Sequence, residues 1–349
     1  MRFFGYLLII VFVFGILIFI HELGHFLTAR ACGVTVKEFA IGMGPKVFSK
    51  KSKKNNTVYS VRLFPIGGFV SMENEDGLDE GADANDENAF CNKSVPKRML
   101  ITIAGAAMNL ILGFLIMLVI VFMSKQLGSN VIAGFTENAV SNEWLCEGDE
   151  IIKVGNTRVH TWNETAYEIM NQGHEPVDIT VKRDGERVKL EDVRFPTFED
   201  EESRVVFGDF DFSVYAESKS FPNLMKHAFF RSVSTVKMVI DSFAGLISGR
   251  FGMDAVSGPV GVVGAVENAA RQGLMSFLYI MSVLTINLGV VNLMPFPALD
   301  GGRFVFLAIE GIRGKPINKN VEAYINFAGL IILFAFMIII TFKDVIKLF

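Results

Sequence analysis

Two histidines four residues apart, His21 and His25, flank Glu22 in the run His-Glu-Leu-Gly-His. On a helix, positions i and i+4 share a face, so both imidazoles can offer a nitrogen lone pair to one zinc ion. Glu22, about 100° around the helix, can take a proton from a water at that ion. These are the parts of a metal-dependent hydrolase. The motif closes an apolar run, residues 3–20. Ionisable side chains beside lipid are costly unless they bind something or face a polar cavity.

A catalytic zinc takes three protein ligands and keeps a fourth position open. The other histidines, His160, His174 and His227, fall in a long connection expected on the far side of the membrane. Between Arg271 and Arg303 the one charged residue is Asp300, in Asn-Leu-Met-Pro-Phe-Pro-Ala-Leu-Asp-Gly-Gly at 292–302. If the first span runs inward, the second returns and the third runs inward again, Asp300 reaches the same face as the histidines. Asp300 is therefore the expected third ligand. Gly105 would let the second span approach the first closely. Asn109 and Asn292 are candidates to bond substrate or a developing oxyanion.

The elements that must position these groups are mostly apolar. Of 349 residues, 51% are hydrophobic, with 33 Phe against 2 Trp, and the mean hydropathy is +0.40, more than a soluble core needs. A net charge of −4, with the basic residues collected beside apolar spans rather than in one patch, argues against a nucleic-acid partner. Cys32, Cys91 and Cys146 lie too far apart for a zinc ribbon or a disulfide framework and read as unpaired thiols. The expected class is an α-helical integral membrane protein with four transmembrane helices. They fall at 1–30, carrying the histidine motif, at 99–123, at 275–302 and at 323–349. Lysines and arginines crowd the connections 31–98 and 303–322, which by the positive-inside rule face the cytoplasm. Both termini are then expected outside, with the metal toward the cytoplasmic side of the cell membrane.

Within the first connection, strand patterns at 34–41 and 57–64 are joined by a turn at Asn55 and Asn56. Phe-Pro-Ile-Gly-Gly-Phe-Val follows at 64–70, where Gly67 and Gly68 permit a sharp bend and close backbone approach. The reading is either a membrane-associated β-loop beside the zinc helix, its edge holding an extended substrate, or a small cytoplasmic sheet. Residues 73–87 carry eight acidic side chains and no basic one and read as a solvated loop without chemistry. The long connection holds a compact α+β module at 124–200, with a helix capped by Asn163 and a hairpin turning at Asp184 and Gly185. An amphipathic region, 201–274, then either lies along the outer interface or packs on the module.

The chain resembles the site-2 protease family of intramembrane zinc metalloproteases, in particular its bacterial RseP-type members. The likeness rests on 21–25, 64–70, Asn-Lys-Ser-Val-Pro-Lys-Arg at 92–98, Gly105 to Asn109, Ser-Gly-Pro-Val-Gly at 257–261 and the 292–302 stretch. It implies Zn2+ held by His21, His25 and Asp300, Glu22 as base, Asn292 at the substrate or transition state, and a re-entrant β-loop at 64–70. The outer module resembles a PDZ domain, one copy where some relatives have two. Implied substrates are single-span membrane proteins already shortened outside, such as anti-sigma factors, or remnant signal peptides. Two other readings stay open on the residues alone: a membrane-anchored scaffold with an inactive metal site, and a metal or ion carrier.

Overall fold

The computed structural model describes residues 2–75, 86–200, 205–252 and 256–347, with side chains for all but 2–9 and 65–66. Most of the acidic loop, 76–85, lies outside the described residues. The elements in chain order are α1 (Arg2–Ala31), β1 (Val36–Lys51), β2 (Val58–Met72), α2 (Val95–Met123), β3 (Leu127–Phe135), β4 (Glu150–Val154), β5 (Thr157–Arg158) and α3 (Trp162–Gln172). Then come β6 (Val177–Arg183), β7 (Glu186–Val193), β8 (Thr197–Glu199), β9 (Val206–Gly208), β10 (Phe212–Glu217), α4 (Phe221–Ser248), α5 (Pro259–Gln272), α6 (Leu274–Leu293), α7 (Asp300–Arg313) and α8 (Lys319–Ile346). Among the described residues four helices are long and apolar enough to cross a membrane: α1 over Ile10–Ala31, α2, α6 and α8. The chain divides into two compact units, Met1–Gly113 with Ser257–Phe349, and Phe114–Val256.

In the first unit α1 and α2 cross closely. A Cβ at Gly24 would run into the Ala104 carbonyl and come within 2.8 Å of Met108 Cγ, so only glycine permits this approach. Strands β1 and β2 pair antiparallel, and both are bent so that Phe39 faces Val70 on one side and Tyr59 on the other. The strand register orders four rungs as 46–51, 58–62, 36–41 and 68–72. Gly67, at φ 83°, makes the bend that returns the chain into the last rung. Phe26 and Ala29 of α1, Phe39, Val70 and Met72 of the sheet, and Ile101 of α2 form one buried cluster.

Two hydroxyls stitch α6 to α2, with Ser282 Oγ donating to the Gly113 carbonyl (3.0 Å) and Thr285 Oγ1 to the Asn109 carbonyl (3.2 Å). The third span does not continue to 302 as a helix. It ends at Leu293, since Pro295 and Pro297 supply no backbone donors and Ala298 takes a left-handed φ of 71°. A separate helix, α7, starts at Asp300 and is tied to α2 by a bidentate pair, Arg98 to Glu310 (2.5 and 3.0 Å).

The second unit is built on a sheet of order β10-β3-β4-β6-β7, with β5 beside β4. Its core includes Ile132, Ile151, Ile169, Ile179 and Val181. Asp184 (φ 52°) and Gly185 (φ 88°) form the hairpin turn. Strand β10 pairs with β3, so the sheet reaches past the boundary expected at 200. The cap of α3 is Thr161, not Asn163: Thr161 and Glu164 form a reciprocal capping box, which satisfies two end donors at once. Helix α4 packs on the module, where Lys237 meets the buried Glu168 (2.5 Å) and the Tyr167 hydroxyl donates to Asp241 (2.8 Å).

Asp149 is fully buried and grips Arg183 through two bonds of 2.7 and 2.8 Å while accepting the Cys146 amide. Asp149→Ala strands those donors and is expected to cost this unit about 3 kcal/mol. Denaturation followed by Trp144 and Trp162 fluorescence, both in this unit, measures it; an unchanged midpoint would contradict the assignment.

Candidate active site

His21 and His25 lie one turn apart near the end of α1, and Asp300 opens α7. The breaker run 294–299 is what turns the Asp300 carboxylate back toward α1. His21 Nε2 and His25 Nε2 are 3.2 Å apart, and Asp300 Oδ2 lies 3.2 Å from the first and 3.3 Å from the second. Yet Asp300 Oδ2 is buried with no donor aligned on it. Three ligand-capable atoms this close to one another point at a common centre. Ligands spaced tetrahedrally about zinc at bond lengths near 2.0 Å stand about 3.3 Å apart, so the triangle fits that ion. Imidazole nitrogen and carboxylate oxygen are both donor types that zinc takes. The donor set is two imidazole nitrogens and a carboxylate oxygen.

Each imidazole is held from behind. His25 Nδ1–H donates to the Ile101 carbonyl at 2.8 Å, which leaves the Nε2 lone pair facing the centre. Behind His21, the Asn109 amide nitrogen lies 3.3 Å from Nδ1 while its Oδ1 has no partner. Exchanging the amide's nitrogen and oxygen lets His21 Nδ1–H donate to Oδ1 and satisfies both groups. Gly105 lies between the two rings: a Cβ there would collide with both Nε2 atoms.

A cavity of about 200 Å³ opens beside the triangle, lined by the three groups together with Glu22, Phe69, Val70, Met72, Glu75, Ile101, Thr102 and Arg303. Gly68 abuts Glu22, since a Cβ there would lie 3.0 Å from Glu22 Cγ. The last rung, 68–72, thus runs along the cavity next to the carboxylate.

Of the expected residues, His21, Glu22, His25 and Asp300 converge here, and Gly68 borders them. Asn109 is fully buried against His21 and does not line the cavity. Asn292, in the last turn of α6, is half-buried and also outside the lining, and Gly67 packs on Met43. Two residues escaped the sequence reading. Glu75, in the loop given no chemistry, pairs with Arg303, whose Nη2 also donates to the Glu75 carbonyl (3.1 Å). Glu75 Oε2 in turn accepts the Met72 amide at 3.3 Å, so the pair ties the end of the rung to α7. The available signal was Arg303 one turn beyond Asp300 on one helix face.

The family model for peptidase family M50 matches residues 9–336. The regulator of sigma-W protease RasP of Bacillus subtilis is 30% identical, with 97% of this chain and 98% of the relative aligned. Zinc metalloprotease RasP of Shouchella clausii is also 30% identical, over 98% of this chain and 99% of the relative. A Fusobacterium nucleatum protein reaches 35%, over 98% and 99%. With the match spanning helices, sheet and triangle alike, this chain belongs to peptidase family M50, the site-2 proteases. It is a zinc metalloprotease with four apolar helices, embedded in a membrane.

Proposed function

We propose that the chain hydrolyses peptide bonds within the transmembrane segments of single-span membrane proteins, with His21, His25 and Asp300 as the zinc ligands and Glu22 as the base. The observation that carries this is the 3.2–3.3 Å triangle sharing a cavity with Glu22 and the rung 68–72. Held by His21, His25 and Asp300, zinc would supply a water acidified toward neutrality and a Lewis acid for the scissile carbonyl. Glu22 takes the proton of the attacking water and delivers one to the leaving amine. Asn109 and the Ile101 carbonyl fix the imidazole tautomers. Asn109 then acts by positioning His21, and Asn292 contacts substrate only if substrate reaches the end of α6.

A substrate helix satisfies its own backbone in lipid, so cleavage requires local unwinding. The rung 68–72 pairs on one side with 36–41, and its other side meets no strand among the described residues. An unwound segment adding there regains its hydrogen bonds with the scissile carbonyl next to Glu22. This supports 64–70 as a membrane-associated β-loop.

The substrates are anti-sigma-factor-like proteins already cut outside the membrane, or remnant signal peptides. The name of the Bacillus relative, a regulator of sigma-W protease, favours the first. Lysines and arginines in 31–98 and 303–322 favour a cytoplasmic-side active site, with both termini outside in the cell membrane. The second unit, a sheet with α3 against it, is read as an extracytoplasmic PDZ-like domain that screens substrates by size or shape.

Asp300→Ala tests the ligand set. Zinc content is expected to drop and cleavage of a fluorogenic membrane substrate to vanish; a variant with full zinc and full activity rejects Asp300 as a ligand.

A further inference from the structure

On the side of α1 away from the histidines, an apolar cavity of about 360 Å³ lies between the helix and the β1–β2 sheet. Phe19, Leu23 and Phe26 form its helical wall, roughly opposite His21 and His25 around the helix. Phe48, Tyr59 and Val61 form its outer wall, and Phe48 and Val61 are 61% and 45% exposed, so the cavity opens outward there. No charged side chain lines it.

Its charge lies at the mouth. Residues 46–54 contain five lysines and no acidic residue. Lys46 is paired with Glu38 at 3.0 Å. Lys50 is exposed, sits two residues beyond Phe48 and therefore on the same face, and stands opposite Tyr59 in the register. A cation is thus set beside an aromatic, outward-opening slot whose inner wall is a membrane-length helix. Lys51, Lys53 and Lys54 follow on the exposed turn.

We infer that this cavity binds one anionic phospholipid, its acyl chain between α1 and the sheet and its phosphate on Lys50 and the neighbouring lysines. A zwitterionic lipid fills the slot equally well but gains less from the lysines, whose attraction for anionic headgroups adds per residue near the surface. The site is built from the back of the helix that carries the histidines, so bound lipid braces α1 against the sheet. The inference concerns binding and stands apart from the protease reading.

The test uses the full-length protein in vesicles of phosphatidylcholine with and without phosphatidylglycerol, each lipid carrying a photoreactive acyl chain. Cross-links are mapped by peptide mass spectrometry, and retained lipid is counted by native mass spectrometry. Cross-links are expected to concentrate on Phe19 to Phe26 and on Phe48 to Val61, with phosphatidylglycerol retained about tenfold over phosphatidylcholine. Lys50→Glu should lower that headgroup preference several-fold yet keep the cross-link position. Val61→Trp, a substitution at an exposed strand position that fills the mouth, should remove the focused cross-link for both lipids. Cross-links spread evenly along α2 and α8, equal retention of the two lipids by the unaltered protein, or indifference to both substitutions would each overturn the inference. So would labelling of the same residues by a photoreactive substrate peptide in place of lipid.

Discussion

Glu22→Gln protein is expected to keep its zinc and to cleave a membrane substrate about a thousandfold more slowly. Glutamine preserves the shape of the side chain, its contact with Gly68 and a hydrogen-bonding oxygen. What it cannot do is accept the proton of the attacking water or return one to the amine. Glu22 is not one of the three converging ligand atoms, whose triangle is closed by His21, His25 and Asp300, so metal retention and catalysis should separate in this variant. A Glu22→Gln enzyme with zinc bound and an unchanged rate would remove Glu22 from the chemistry.

Gly105→Ala is expected to have the next largest effect although glycine has no chemistry of its own. An added Cβ at this position would fall on Nε2 of His25 and within 2.8 Å of Nε2 of His21. Its rigid attachment to α2 leaves the rings, not the methyl group, to move. Displacement of a reacting group by about an ångström can cost on the order of a hundredfold, and here both imidazoles shift. The variant should therefore lose zinc affinity and at least about a hundredfold in kcat/KM. Gly113→Ala provides the contrast, because its Cβ would meet the flexible Ile286 side chain, away from the triangle. That variant should lose some stability and retain its metal. Full zinc occupancy and an unaltered rate in Gly105→Ala would show that the close crossing of α1 and α2 is not what holds the imidazoles.

The parts of the site that local geometry dictates were legible in the sequence. That His21 and His25 share one helix face, with Glu22 beside them, needed only the pitch of a helix, and the approach of Asp300 to them was expected from the ligand count. The hairpin at Asp184 and Gly185 was equally local. Features that depend on distant pairing were not. Nothing near Glu75 announces that Arg303, 228 residues away, will hold it at the cavity. The return of β10 to β3 is likewise invisible in a stretch whose own pattern is weak. The stop at Leu293 was half legible: Pro295 and Pro297 mark a break, but a fresh helix starting at Asp300 depends on α7 packing against Arg98 of α2. At Thr161 the signal was present, since Thr and Glu at N-cap and N3 spell a capping box, and the choice of Asn163 overlooked it.

Zinc K-edge absorption on the purified, active protein addresses the metal centre itself. One zinc per chain is expected, with nitrogen and oxygen neighbours at ~2.0 Å, the scattering pattern of two imidazoles, and loss of that pattern in His25→Ala. Sulfur from any of the three cysteines in the coordination shell, or full activity in protein stripped of metal, would contradict this expectation.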